Sequence, residues 1–278
     1  MIASALALLL MQVGPDPTQG SFPGIPEELR DRPQRESVAA PPATLPSSGG
    51  KLAECVTLAT EDASAASDMA QTWRETAANQ LELAQSAHCL GLALVRLDDF
   101  DGAQRAFDLA TDEVPDGTPA YRARLAAMSG NAAMAQGKPA IAEIAFARAS
   151  RFAASADAPL TASIAVDRAR ALVALDRREE AAAELAQART SDPANGRAWL
   201  LSATLSRRLD RLGEAREQIA QAALLAPQDP AVGLEAGVIA ALSGREDDAR
   251  RSFESVLQVA PQSPEATRAR SYLEQLAT

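Results

Sequence analysis

The 278-residue chain has a formal net charge of −10, and 47% of its residues are hydrophobic although only 4% are aromatic. The negative charge disfavours nucleic acid and anionic membrane surfaces as partners. One histidine, His88, and two cysteines, Cys55 and Cys89, are too few ligands for a structural zinc site, so we expect no metal and no cofactor.

The chain begins with an apolar stretch, Met1–Val13, that contains no charged side chain. It is shorter than the roughly 20 residues that span a bilayer, and it has the length of a signal-peptide core. We interpret residues 1–14 as a signal peptide or apolar N-terminal segment, and we expect a periplasmic or otherwise exported protein. No basic residue precedes the stretch, so a cytoplasmic location or an uncleaved anchor stays open as the alternative.

Residues 15–50 differ sharply in composition from the rest. Prolines recur from Pro15 to Pro46, and Ser47-Ser48-Gly49-Gly50 closes the stretch. Proline interrupts helices, and too few large apolar residues are present to offset the entropy lost on ordering. We therefore predict a disordered linker.

From residue 51 onward the chain is alanine-rich and lacks the alternating pattern of strands, which predicts an all-α fold. A Gly or Asp followed five residues later by Ala recurs between amphipathic stretches. The five pairs are Asp98 and Ala103, Gly137 and Ala142, Asp176 and Ala181, Asp210 and Ala215, and Gly244 and Ala249. The first two steps between pairs are longer than the last two, and they contain turn signals at 115–119 and 155–159. We expect the additional residues to lie in loops between repeats.

Further positions share this repeat. Small residues recur in each first helix, at Gly91, Gly130, Ala169, Ala203 and Gly237. Bulky residues recur in each second helix, at Phe107, Phe146, Leu185, Ile219 and Phe253, and prolines close units at Pro115, Pro193, Pro227 and Pro261. With a period near 34 residues, the pattern resembles the tetratricopeptide repeat family. The resemblance implies a right-handed α-solenoid of helix-turn-helix repeats with a C-terminal capping helix.

The resemblance assigns the solenoid to residues 51–278. Its repeats are expected at 84–117, 123–156, 162–195, 196–229 and 230–263, and its capping helix at 264–277. Residues 51–83 resemble a degenerate repeat, with Ala53, Val56, Met69 and Trp73 at family-like positions but without the family's glycine and closing proline. A coiled coil is the alternative fold, and the helix-breaking turns argue against it.

In this family the first helices line a concave groove that binds partners. The resemblance places Arg96, Arg124, Asn131, Arg170, Arg197, Thr204, Arg207 and Arg208 in that groove. Guanidinium groups bind carboxylates through two parallel hydrogen bonds, so an acidic or C-terminal carboxylate peptide would suit it. The alternative is that these arginines pair with glutamates of neighbouring helices.

The resemblance implies a protein–protein interaction scaffold with a protein or peptide as its partner. Because of the apolar start of the chain, we expect this scaffold in the bacterial cell envelope. The chain has no Gly-rich phosphate loop, no Gly-x-Ser-x-Gly elbow and no His-Glu-x-x-His helix, so we expect neither an enzyme nor a small-molecule substrate. Two alternatives stay open. One is an envelope chaperone or assembly factor for secretion or cytochrome maturation, and the other is a structural spacer that self-associates.

An exported protein could join Cys55 and Cys89 in a disulfide. In the repeat register the two cysteines occupy equivalent positions of adjacent repeats, about a helix diameter apart, whereas a disulfide needs Cα atoms within about 7 Å. Because the first repeat is degenerate, its register can slip. Both outcomes stay open.

Overall fold

The computed structural model describes residues 50–154 and 156–277. The predicted N-terminal segment, residues 1–14, and the predicted linker, except Gly50, lie outside the described residues. Within them the chain forms helices and no strand, as the sequence predicts. In chain order the helices are α1 Lys51–Glu61, α2 Ala63–Glu75, α3 Gln80–Arg96, α4 Phe100–Glu113, α5 Pro119–Ala135, α6 Pro139–Ala153, α7 Ala158–Ala174, α8 Arg178–Ser191, α9 Gly196–Arg208, α10 Leu212–Leu225, α11 Pro230–Leu242, α12 Glu246–Val259 and α13 Pro264–Gln275.

The chain divides into two compact units, and the division falls within α8, between Glu184 and Leu185. We call the described residues up to Glu184 the N-terminal unit and residues 185–277 the C-terminal unit. In the N-terminal unit α1 packs with α2, α3 with α4, and α5 with α6. In the C-terminal unit α9 packs with α10 and α11 with α12, and α13 packs on the α11–α12 pair. Each unit is therefore built from helix-turn-helix repeats.

The turn inside each of the five regular repeats depends on one residue in the left-handed region. The φ angle is 58° to 60° at the three aspartates and 70° to 71° at the two glycines: Asp98, Asp176, Asp210, Gly137 and Gly244. The next amide donates to a carbonyl near the end of the first helix, as Asp99 does to Leu94 (3.0 Å). Glycine adopts this conformation freely, and aspartate tolerates it better than most residues. A Gly or Asp at this position of the repeat therefore marks the end of each first helix.

The small and bulky positions of the repeat fit each other. A Cβ atom added to Gly91 would lie 2.5 Å from the ring of Phe107, so only glycine fits beneath the ring. The same arrangement occurs at Gly130 with Phe146 and at Gly237 with Phe253. Where the first helix carries Ala203 instead, the second helix carries the thinner Ile219, and both lie in one buried cluster. Helix spacing is thus maintained by matched volumes.

Of the five additional residues in each longer step, four lie in the first helix and not in a loop, so the prediction is wrong for them. They lengthen the first helices by one turn: α3, α5 and α7 have 17 residues each, whereas α9 and α11 have 13. The prolines that suggested turns, Pro119 and Pro159, stand in the first turn of α5 and α7. Proline is tolerated there because the first amides of a helix have no intrahelical acceptor.

The degenerate repeat forms the pair α1–α2. Of its four family-like positions, Trp73 is buried, Val56 and Met69 are partly buried, and Ala53 is exposed. Its buried apolar residues are Leu52, Cys55, Ala59, Ala66, Ala70 and Trp73. The pair therefore packs through small side chains and one tryptophan, without the glycine–phenylalanine contact of the regular repeats.

The capping helix α13 covers the last repeat. Ser263 caps its N-terminus by accepting a hydrogen bond from the Ala266 amide (3.0 Å). Ala266, Ala269 and Tyr272 join Phe253 in one buried cluster. The terminal repeat thus hides its apolar side beneath a helix whose other side is polar, as solenoids require at their ends.

Candidate protein-binding surface

Three of the predicted groove residues lie on α5 and α7 and are partly or fully exposed. We call them the polar row: Arg124, Asn131 and Arg170. Arg124 Nη2 lies 3.6 Å from Asp157 Oδ2, and the Arg124 side chain is 23% exposed. Asn131 Nδ2 donates to one oxygen of Asp167 (3.3 Å), and Arg170 Nη1 donates to the other (3.2 Å). The Arg170 side chain is 43% exposed. The row therefore presents donors held in place by aspartates at the surface.

The neighbouring helix α3 presents less polar surface. Arg96, its last residue, is exposed, but His88 is 3% exposed. His88 Nδ1 is hydrogen-bonded to Tyr121 Oη (3.0 Å), while its buried Nε2 has no partner among the described residues. Burial lowers the pKa of His88 to about 4 and raises the pKa of Tyr121. His88 is therefore a neutral core residue at physiological pH.

The C-terminal unit separates its predicted groove residues into two groups. Arg197 and Arg208 lie near the two ends of α9 and are exposed. Thr204 and Arg207 lie between them and are buried, at 4% and 5% exposure. A ligand can reach neither of the two buried residues without a rearrangement of the unit.

Arg207 is part of a buried ion pair. Its Nε donates to Glu235 Oε1 (2.6 Å) and its Nη2 to Glu235 Oε2 (3.1 Å), and the two side chains are 3% and 1% exposed. The prediction that Arg207 is a groove residue open to a partner is therefore wrong. The alternative holds for this residue, because it pairs with a glutamate of a neighbouring helix. Sequence reasoning missed Glu235, although Asp167, two 34-residue periods earlier, also accepts a hydrogen bond from a groove residue of the preceding first helix, Asn131.

A second network was also missed. Arg168 on α7 donates to Glu143 on α6 (2.8 Å) and to Glu184 on α8 (2.6 Å). Burial raises the pKa of Glu184, and the neighbouring Arg168 opposes that shift. These charges connect three successive helices within the N-terminal unit. No spacing in the sequence indicates which carboxylate of a second helix an arginine will meet.

The two cysteines are joined. Cys55 on α1 and Cys89 on α3 form a disulfide with their Cα atoms 5.9 Å apart, and both residues are fully buried. The two Cα atoms are closer than the helix diameter expected from the repeat register, and four alanines pack in the same cluster: Ala59, Ala66, Ala70 and Ala93. The degenerate repeat lacks the glycine–phenylalanine contact that sets the helix spacing in the regular repeats.

Comparisons with known proteins agree with the repeat pattern. A family model described as tetratricopeptide repeat matches residues 166–231. Two proteins of known structure share the fold: PilF from Pseudomonas aeruginosa (14% identity, TM-score 0.62, 80% of this chain and 97% of PilF) and PilW, described as a widely conserved type IV pilus biogenesis factor (17%, 0.61, 82% and 98%). YrrB, a tetratricopeptide protein with an unusual peptide-binding site, is similar as well (18%, 0.51, 67% and 91%).

None of the curated protein sequences matches the chain significantly. The family match over residues 166–231, together with the helix-turn-helix repeats and the fold shared with these solved structures, shows that the chain contains tetratricopeptide repeats. Such repeats serve as scaffolds that bind proteins or peptides. In residues 50–154 and 156–277, no three His, Cys, Asp or Glu side chains are grouped to hold a metal ion, and no helix is long and apolar enough to cross a membrane.

Proposed function

We propose that this chain is an interaction scaffold that binds an extended peptide or protein segment across α5 and α7. The observation that carries the proposal is the polar row, because Arg124, Asn131 and Arg170 lie on neighbouring first helices of one unit, remain partly or fully exposed and are each paired with an aspartate of that unit. The resemblance to YrrB, which is described as having a peptide-binding site, supports the same class of function.

The chemistry of the row favours a partner that supplies hydrogen-bond acceptors. Asp167 orients both Asn131 and Arg170, which leaves the remaining guanidinium donors of Arg170 directed to solvent. A carboxylate can accept two parallel bonds from such a group, and the amide of Asn131 can pair with a peptide backbone. An acidic segment or a free C-terminus therefore fits the row best.

We further propose that the scaffold works in an oxidising compartment, outside the cytoplasm. Two features support this: the apolar start of the chain, Met1–Val13, and the pairing of its only two cysteines. Disulfides persist in exported proteins and are rare where thiols are kept reduced. An assembly factor of the cell envelope is the second candidate, favoured by the fold that the chain shares with PilW.

The test is selection of random peptides, with free C-termini, against the full chain, followed by calorimetry with the triple variant R124A/N131A/R170A. We expect selected peptides to lose at least about 10-fold in affinity, since each charge-assisted hydrogen bond is worth about 1.5–3 kcal/mol. The matched control is Q80A/R151A/R216A, which removes one amide and two arginines that are exposed on α3, α6 and α10.

Equal affinity of the triple variant and the wild type would place binding elsewhere and contradict the proposal. Sedimentation of the chain alone gives the second comparison. Concentration-dependent self-association without any selected peptide would favour the spacer alternative over a scaffold.

A further inference from the structure

We propose that the Cys55–Cys89 disulfide is the principal tie between α1 and α3, so that a dithiol reductant releases α1 while α2 stays docked. The proposal concerns regulation of the fold and does not depend on the identity of the partner. It rests on a difference between two adjacent helices, α1 and α2, in what else holds them.

Apart from the disulfide, helix α1 is attached by apolar packing and by one cation–π contact. Val56 and Leu58 pack, partly buried, against the cluster around the disulfide, and Lys51 Nζ lies 5.7 Å from the centroid of the Trp73 ring. The helix has 11 residues, of which Leu52, Cys55 and Ala59 are buried, and Leu52 is the only large apolar side chain among them. Its N-cap, Gly50, provides no side-chain hydrogen bond. Isolated helices shorter than about 12–15 residues are marginal in water. Without a covalent tie, α1 is therefore expected to open locally.

Helix α2 is held independently of the disulfide. Asp62 caps its N-terminus by accepting from the Ala65 amide (2.9 Å). Trp73 is 4% exposed, and its Nε1 donates to Glu82 (3.2 Å). Arg74 donates through both terminal nitrogens to Glu113 on α4 (2.5 and 2.8 Å). These contacts connect α2 directly to α3 and α4, so they survive the loss of α1.

The redox step is a thiol–disulfide exchange. One thiolate of the reductant attacks a sulfur of the Cys55–Cys89 bond and forms a mixed disulfide, which releases the other cysteine as a thiolate. The second thiolate of the reductant then attacks the mixed disulfide, so that the reductant becomes a cyclic disulfide and both cysteines end as thiols, each with one proton. Both cysteines are fully buried, so the exchange requires a prior opening of α1. After the disulfide is reduced, no covalent bond holds α1 against α3. When α1 undocks, the surface of α3 around Cys89 and Ala93 becomes accessible. Docking of α1 is therefore conditional on oxidation.

The test is hydrogen exchange of the full chain, oxidised and after dithiothreitol, with the thiol count checked by mass spectrometry. A disulfide closing a loop of this size shifts an opening equilibrium on the order of 100-fold or more. We expect amides of residues 51–61 to exchange about 100-fold faster after reduction, while those of residues 63–75 and 100–113 change by less than about 3-fold. Glutamyl endopeptidase should then cut after Glu54 in the reduced chain alone.

Three results would overturn the proposal: unchanged exchange in residues 51–61 although both thiols are titrated, equal opening of residues 63–75, or loss of protection across the whole N-terminal unit. The control is C55A/C89A. The chain has only two cysteines, so this variant should show an open α1 in both conditions and no response to the reductant. If the variant fails to fold, reduction of the wild type decides the question alone.

Discussion

The two units place their predicted groove residues differently. In the N-terminal unit the predicted groove residues on α5 and α7 stay at the surface and pair with aspartates that are themselves partly exposed. In the C-terminal unit Arg207 is buried against Glu235, and every residue of α11 from Val232 to Ala240 is buried. A repeat position therefore does not make a binding residue by itself. An arginine is available to a partner only if no carboxylate and no apolar side chains of the same unit bury it.

Each unit also contains one tryptophan, which allows the comparison to be tested separately in each. Trp73 lies on α2 in the N-terminal unit and Trp199 on α9 in the C-terminal unit. The indole Nε1 of Trp199 donates to the Pro193 carbonyl (2.9 Å), and Arg189 stacks on its ring. Variants W73F and W199F thus leave a single fluorescent reporter of one unit.

The largest expected effect is on the buried ion pair. R207A should lower the free energy of unfolding of the C-terminal unit by about 3–5 kcal/mol, because it leaves the Glu235 carboxylate buried without its partner. R207M/E235M removes both charges and should recover most of that loss. R170A, in the half-exposed pair, should cost no more than about 1 kcal/mol. The measurement is urea unfolding in the W73F background for Arg207 and the W199F background for Arg170. A cost for R170A equal to that for R207A would break the distinction between the units.

The second effect is acid sensitivity confined to the N-terminal unit. The pKa of His88 is lowered by burial from its usual 6.5 to about 4. The unfolded chain therefore binds a proton that the folded chain does not, and stability is complete above pH 6.5 and falls as the pH drops from 6.5 through 4. Between pH 7 and pH 5 the loss should be about 2 kcal/mol.

The measurement for His88 is urea unfolding at both pH values, followed by Trp73 in the W199F background. H88Q is the control, because glutamine does not titrate. A wild type and an H88Q variant with the same change in stability between pH 7 and pH 5 would contradict the assignment.

The smallest effect should be the same in both units. Gly137 and Gly244 have φ angles of 70° and 71°, and a Cβ atom at either would meet nothing within 4 Å. G137A and G244A should therefore each cost about 1 kcal/mol through backbone strain alone. Thermal or urea unfolding of each unit measures the cost, and a difference between the two larger than about 1 kcal/mol would mean that the turns are not equivalent.

The sequence was sufficient for the repeat itself. The Gly or Asp in each turn and the matched small and bulky residues follow from backbone conformation and volume, both of which are local. The lengthened first helices were missed because Pro119 and Pro159 were interpreted as turn residues, although a proline in the first turn of a helix removes no hydrogen bond. Local chemistry alone cannot distinguish these two uses of proline.

The candidate site was less predictable. Which groove arginine is open depends on a carboxylate one repeat away, as with Arg207 and Glu235, and on which apolar side chains cover the pair. The same applies to the 5.9 Å separation of the Cys55 and Cys89 Cα atoms, which joins two repeats through a cluster with residues from α1, α2 and α3. Such contacts form between residues of different repeats, whereas a repeat pattern mainly predicts the contacts inside a single repeat.

The most direct test of the central claim, that a partner binds across α5 and α7, is methyl NMR of the chain labelled at its methionines. Met134 lies on α5 next to the polar row, and Met69 on α2 provides an internal reference. Addition of a selected peptide should shift the Met134 methyl resonance in proportion to binding and leave that of Met69 unchanged. A peptide that binds with an undisturbed Met134 signal would contradict the account.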